Sequence, residues 1–112
     1  MSRPEPEKSI PELTSVFTAL GDATRLELVA RLGSGQPRSI VQLAEGLEIT
    51  HQGVTKHLRV LEKAGLVMSE RSGREKHYRC VPEPINDART YLDTVAEQWD
   101  EALLRLKKFV ER

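Results

Sequence analysis

Between Thr50 and Gly65 (THQGVTKHLRVLEKAG), side chains able to do chemistry recur at helical spacing. At about 100° per residue, Gln52, Thr55, Lys56, Arg59 and Lys63 fall on one side, with Val54, Leu58 and Leu61 roughly opposite. An amide, a hydroxyl and cations are groups that meet base edges and phosphates, and the apolar face behind them can anchor in a core. The chemistry implied is recognition of duplex DNA. Catalysis has nothing to rest on: no nucleophile elbow, phosphate-cradling glycine loop or metal-ligand cluster is present, so neither enzyme activity nor a cofactor is expected.

Charge placement agrees, although the 17 Lys/Arg and 17 Asp/Glu cancel over the chain. From Thr50 to Arg79 there are seven Lys/Arg against three Asp/Glu, an excess of four positive charges, and the remaining residues offset it with ten against fourteen. Affinity for phosphate follows local cations rather than their sum, so a basic segment between acidic flanks favours one orientation on DNA. Chance clustering on a solvated surface is the plainer alternative.

The 112 residues fit one small domain, with 38% hydrophobic and 30% charged residues marking a globular chain. No apolar run approaches the roughly 20 residues of a membrane helix. A lone cysteine excludes an internal disulfide framework and fits a reducing compartment, and MSRPEPEKS lacks the apolar stretch of a signal peptide. A cytoplasmic location is expected. Residues 1–9, with two prolines and alternating charge, read as a disordered arm, leaving residues 10–112 as the folded domain.

Several elements must position the Thr50–Gly65 helix. Leu13, Val16, Phe17 and Leu20 mark a first helix over residues 10–20, whose apolar positions read as core. Asp22 can cap a second, in which Leu26, Leu28, Val29 and Leu32 read as core, ending near Gly33. After the GSGQPR loop, Ser39 and Gln42 form a capping box for a short helix through Leu47, with Ile40, Leu43, Ala44 and Leu47 inward. Only Glu48 to Thr50 then separate it from the next helix, with Thr50 as N-cap, and Glu48 stands where such turns often have glycine. This spacing matches a helix-turn-helix, whose second helix enters the major groove.

Beyond Gly65 the period changes. Leu66 to Met68 lead into SERSGREKHYRC, which reads as a two-stranded hairpin turning at Ser72 to Arg74. Its basic tip could lay Arg74 and Lys76 on phosphates or in the minor groove, though charged tips also serve solubility. Pro82 and Pro84 are expected to break the chain before a last helix over residues 85–110. There Ile85, Ala88, Leu92, Val95, Trp99, Ala102, Leu106 and Phe109 recur at steps of three and four, widened by Tyr91, Leu103 and Val110. Some 25 residues span about 37 Å, longer than so small a core can cover, so part of the stripe is expected to meet a second subunit. Packing within its own chain is the alternative. The fold class expected is mainly α: a winged helix-turn-helix of about five helices with a small β-hairpin wing.

Three stretches together, LGDATRLELVARL (Leu20 to Leu32), VTKHLRVLEKAGLV (Val54 to Val67) and SGREKHYR (Ser72 to Arg79), resemble the ArsR-type (ArsR/SmtB) family of bacterial winged-helix repressors. The resemblance runs in order from Leu13 onward, with Ala23 where the family commonly has proline. It implies a homodimeric repressor that binds a double-stranded operator and releases it when an effector arrives. Gln52, Thr55, Lys56 and Arg59 would face the groove with His51 at the helix start, and Arg74 with Lys76 would make the wing contact. Leu13 and Phe17 on the first helix, with Leu92, Val95, Trp99, Leu103 and Leu106 on the last, would join the subunits. A two-fold dimer would set the two reading helices roughly 34 to 36 Å apart, about one DNA turn.

The family's best-known effectors are metals, and here the sequence departs from the pattern. The Cys-x-Cys position is occupied by VQLAE (Val41 to Glu45), without a thiolate or imidazole, and anchoring the last-helix site on Asp87 gives Arg89, Asp100 and Leu103, which hold no zinc. No metal site is expected and the effector is unidentified. His51 and His57 lie about 240° apart around one helix and cannot share an ion; His57, beside the apolar face, reads as a packed, hydrogen-bonded residue. Cys80 could be activated by neighbouring Arg79, although a buried thiol is commoner. Trp99 could line a small-molecule pocket, but its place on the seam favours packing. The rival to DNA binding is a winged-helix module that binds another protein.

Overall fold

The computed structural model describes residues 8–111; most of the arm expected over residues 1–9 lies outside them. Two helices come first, α1 (Ile10–Leu20) and α2 (Ala23–Arg31). Ser9 Oγ accepts from Glu12 N–H, and Asp22 Oδ2 accepts from Arg25 N–H at 3.1 Å, so each start has a side-chain cap. That hydrogen bond is the main reason the Asp22 carboxyl lies below its ordinary pKa, with His57 and Arg25 adding smaller favourable charge effects. The cap is therefore present at neutral pH and lost as pH falls through the depressed value. Leu13, Val16, Leu28 and Leu32 are buried, whereas Leu26, expected in the core, is 53% exposed because the α2 periodicity turns it away from α1 and α4.

The short helix α3 (Ile40–Ala44) opens on the predicted capping box: Ser39 Oγ accepts from Gln42 N–H at 3.2 Å and Gln42 Oε1 from Ser39 N–H at 2.8 Å. It stops at Ala44, three residues before the expected end. Gly46 adopts φ +78°, the left-handed conformation open to glycine, and so supplies the turn glycine that Glu48 had left missing. Arg31 locks this corner, donating to the carbonyls of Leu43 and Glu45 while Glu27 holds its Nε at 3.0 Å.

Helix α4 (His51–Lys63) follows, capped by Thr50 Oγ1, which accepts from Gly53 N–H at 3.0 Å. It ends in a Schellman turn, with Leu66 N–H on the Leu61 carbonyl and Gly65 N–H on that of Glu62. Gly65 sits at φ +78°, where an L-residue with a Cβ is strained. Gly65→Ala is expected to cost about 1 kcal/mol or more, read as a lower urea midpoint at unchanged slope.

Strands β2 (Val67–Ser72) and β3 (Glu75–Cys80) form the expected hairpin, pairing from Val67↔Cys80 to Ser72↔Glu75 around Gly73 and Arg74. The sheet has a third strand that sequence reading missed. β1 (Arg38–Ser39) pairs antiparallel with β3, Arg38 opposite Tyr78, giving the order β1-β3-β2. Two residues show no strand periodicity, so nothing local announced it. Tyr78, 1% exposed, is among the largest fully buried side chains and ties the hairpin to the core made by Leu28, Leu32, Leu43, Val54, Leu58, Leu61 and Leu66.

Helix α5 (Pro82–Val110) runs 29 residues. Pro82 and Pro84 do not precede it, as expected, but form its first turn, where the missing N–H groups have no helical partner to lose. Only its first half meets the body: Pro84 and Ala88 are buried and Tyr91 stacks obliquely on Phe17 of α1, ring centroids 6.2 Å apart. The rest projects, stretching the molecule to 68 × 30 × 24 Å with a radius of gyration of 18.3 Å, against about 13 Å for a compact chain of this length.

Candidate nucleic-acid interface

Helix α4 divides as its spacing requires. Val54, Leu58 and Leu61 are fully buried, while His51, Gln52, Lys56, Arg59 and Lys63 are exposed on the other side. Thr55 is half-buried, and its hydroxyl donates to the His51 carbonyl at 2.9 Å. Its proton is thus committed to the helix, and what it offers a partner is an acceptor lone pair and a methyl group. The first-turn N–H groups not taken by Thr50 add a partial positive charge at the same end.

The wing sorts its charges by face, because strand residues alternate sides. One face carries Val67, Ser69 and Arg71 opposite Cys80, Tyr78 and Lys76. It is the face turned to α4, since Tyr78 is buried and Ser69 Oγ donates to Glu62 Oε2 of α4 at 2.9 Å. At its tip Arg71 and Lys76 stand directly opposite, both exposed, with the Lys76 ammonium 5.6 Å from the Tyr78 ring centre. Like charges paired across strands oppose folding, and a polyanion would relieve them. Sequence reading missed Arg71, since only the strand register sets it beside Lys76.

The other face pairs its polar groups internally. Arg79 lies 3.7 Å from Glu70, and His77 Nε2 lies 3.0 Å from Glu75. Arg79 therefore belongs to the wing's own ion pairing, and it does not activate Cys80. Burial raises that thiol above its ordinary pKa, and the Glu83 carboxylate adds to the rise. Cys80 is a protonated thiol at neutral pH.

Thus all seven residues expected at DNA lie on two adjoining elements: His51, Gln52, Thr55, Lys56 and Arg59 on α4, Arg74 at the turn and Lys76 on the α4-facing side of the wing. His57 is elsewhere. Its Nδ1 lies 3.2 Å from Arg25 Nη1 and 3.8 Å from Asp22 Oδ2, the packed role its position predicted.

The residues expected at a subunit interface separate likewise. Leu92, Trp99, Leu103 and Leu106 are 52 to 66% exposed, and Val95 and Phe17 are half-buried. Leu13 is corrected: at 2% exposure it lies inside the protomer's own core and has no surface for a second chain.

A family model described as a helix-turn-helix domain matches residues 20–70. The HTH-type transcriptional repressor SmtB of Mycobacterium tuberculosis is 32% identical over 100 residues, covering 89% of this chain and 72% of the relative. The HTH-type transcriptional regulator Rv2034 of the same species is 33% identical over 95 residues, covering 85% of each. Among solved structures, an ArsR-like transcriptional regulator from Rhodococcus sp. RHA1 superposes with a TM-score of 0.73 at 37% identity, covering 88% of this chain and 92% of that one.

Proposed function

The chain belongs to the ArsR/SmtB family of helix-turn-helix DNA-binding transcriptional regulators, and from that premise we propose that it is a cytoplasmic, homodimeric repressor that grips its operator with α4 and the wing. The observation carrying this reading is the sorting of charge: Lys56, Arg59, Arg71, Arg74 and Lys76 are all exposed on α4, at the wing turn or on the wing's α4-facing side, whereas Arg79 is paired with Glu70 on the other. Lys56, Arg59, Arg74 and Lys76 supply phosphate affinity, and Gln52, Thr55 and His51 read base edges.

The apolar side of α5 supports the dimer. Among the described residues nothing of the same chain covers Trp99, Leu103 or Leu106, and a contiguous apolar stripe of this kind marks an association surface. Residues 10–112 act as one unit, reading domain and dimerisation helix together. Val41 to Glu45, and Asp87, Arg89, Asp100 and Leu103, carry neither of the family's metal-ligand patterns, so the repressor proposed is not one that senses a metal through those positions. No helix among the described residues is long and apolar enough to cross a membrane.

A gel-shift titration over a range of salt, with DNA from upstream of the protein's own gene, tests this. A sequence-specific shift is expected. Lys56→Ala should weaken binding to every sequence and reduce the salt slope by about one, whereas Gln52→Ala should mainly relax operator preference. Absence of any specific shift, with a protein partner recovered instead, would make the winged helix a protein-interaction module.

A further inference from the structure

A polar cluster on the inner side of α4 has no part in the contacts proposed above. Arg25, in the first turn of α2, reaches in three directions. Its Nε donates to the Ala19 carbonyl and Nη2 to that of Thr18 at 3.4 Å, both at the end of α1, while Nη1 lies 3.2 Å from Nδ1 of His57 in the middle of α4. Asp22 Oδ2 stands 3.8 Å from the same Nδ1. A guanidinium has only donors and keeps its charge, so the contact with His57 requires a bare Nδ1: a neutral imidazole with its proton on Nε2.

We propose that Arg25 and His57 are positioning residues for DNA binding, and that protonation of His57 releases α4 from the end of α1 and lowers operator affinity. The inference rests on the DNA-binding reading above. With the imidazole neutral, Arg25 ties the last carbonyls of α1 to the reading helix. With a proton on Nδ1, two cations face each other and the new N–H turns to Asp22, whose carboxylate the Arg25 N–H keeps ionised. The bond between α1 and α4 is exchanged for one between α4 and the cap of α2. Among the described residues, Asp22 and Arg25 are the charged side chains shown in reach of the ring. α1 carries one charged residue, Glu12, in its first turn and so at the opposite end from the Thr18 and Ala19 carbonyls; α3 carries none, and the polar contact of α4 with β2, Glu62 to Ser69, lies more than a turn further on. On α4 itself, the positions one turn away are Gly53, Val54, Val60 and Leu61.

Imidazoles change charge between about pH 5 and 8, which sets the range to test. His51 is present in both chains compared, so its own contribution cancels: the unsubstituted chain is set against His57→Asn, whose carbonyl oxygen replaces Nδ1 as an acceptor that does not titrate. At constant ionic strength, operator Kd of the unsubstituted chain relative to that of His57→Asn is expected to rise about threefold or more from pH 8 to pH 5.5. Superimposable pH profiles for the two proteins overturn the inference alone. Failure of the unsubstituted chain to bind any operator at pH 8 overturns the DNA-binding reading and this inference with it. If His57→Asn does not fold, the His57 ring resonance of the unsubstituted chain is titrated by NMR with and without operator. Linkage requires a lower midpoint in the complex, and an equal or higher one overturns the proposal.

Discussion

Replacing Trp99 and Leu103 together with glutamate is expected to leave a folded monomer that binds operator at least about a hundredfold more weakly. Both side chains are more than half exposed in the protomer, 66% and 58%, so charge at these sites meets water, not the core. In a dimer the same sites would bury four uncompensated carboxylates against apolar surface, which association cannot absorb. The loss on DNA follows from bivalency: once one reading helix is bound, the second engages at a high effective concentration, which a monomer forfeits. Light scattering should show the mass halved while the thermal transition of the folded chain persists. A dimer that survives both substitutions, or a monomer with undiminished affinity, would defeat the assignment of α5 as the subunit contact.

Leu58→Ala carries the second large effect, through stability. Leu58 is 0% exposed on the inner face of α4, within the cluster shared by Leu28, Leu43 and Val54. Truncating a buried leucine removes its transfer free energy and leaves a cavity, together about 2 to 5 kcal/mol. A domain of this size has about 5 to 15 kcal/mol in all. Urea unfolding should show a much lower midpoint, whereas Lys56→Ala, on the opposite face, should leave the midpoint nearly unchanged while weakening DNA binding. Equal midpoints for Leu58→Ala and the unsubstituted chain would mean that α4 is turned differently about its axis.

Both sites could be found in the sequence. The two faces of α4 follow from a period of 3.6 residues, so Leu58 and Lys56 separate on sequence alone. The same applies to the caps at Asp22, Ser39 and Thr50, because a cap acts over three residues. The exposed seam of α5 was also legible, since a stripe longer than its core has to remain uncovered somewhere. Leu13 and Leu26 were misplaced because periodicity identifies an apolar stripe but not what stands against it: α1 turns Leu13 into the protomer's own core, and α2 leaves Leu26 at the surface. The corner after α3 was misjudged for a related reason. Gly46 and the Arg31 guanidinium end that helix together, and Arg31 is twelve residues from Leu43 in the chain.

What the sequence determined by itself was the helical elements, the hairpin, the polar and apolar sides of α4, and the family, all encoded in spacings within about one helical turn or one hairpin. Tertiary structure alone decided which cations remain unpaired, that β1 joins the sheet, and that His57 is held between Arg25 and Asp22. The physical reason is the range of the interactions. Arg71 faces Lys76, and Arg79 meets Glu70, only when two strands have taken one register, and Arg25 reaches His57 across 32 positions only when α1, α2 and α4 have packed.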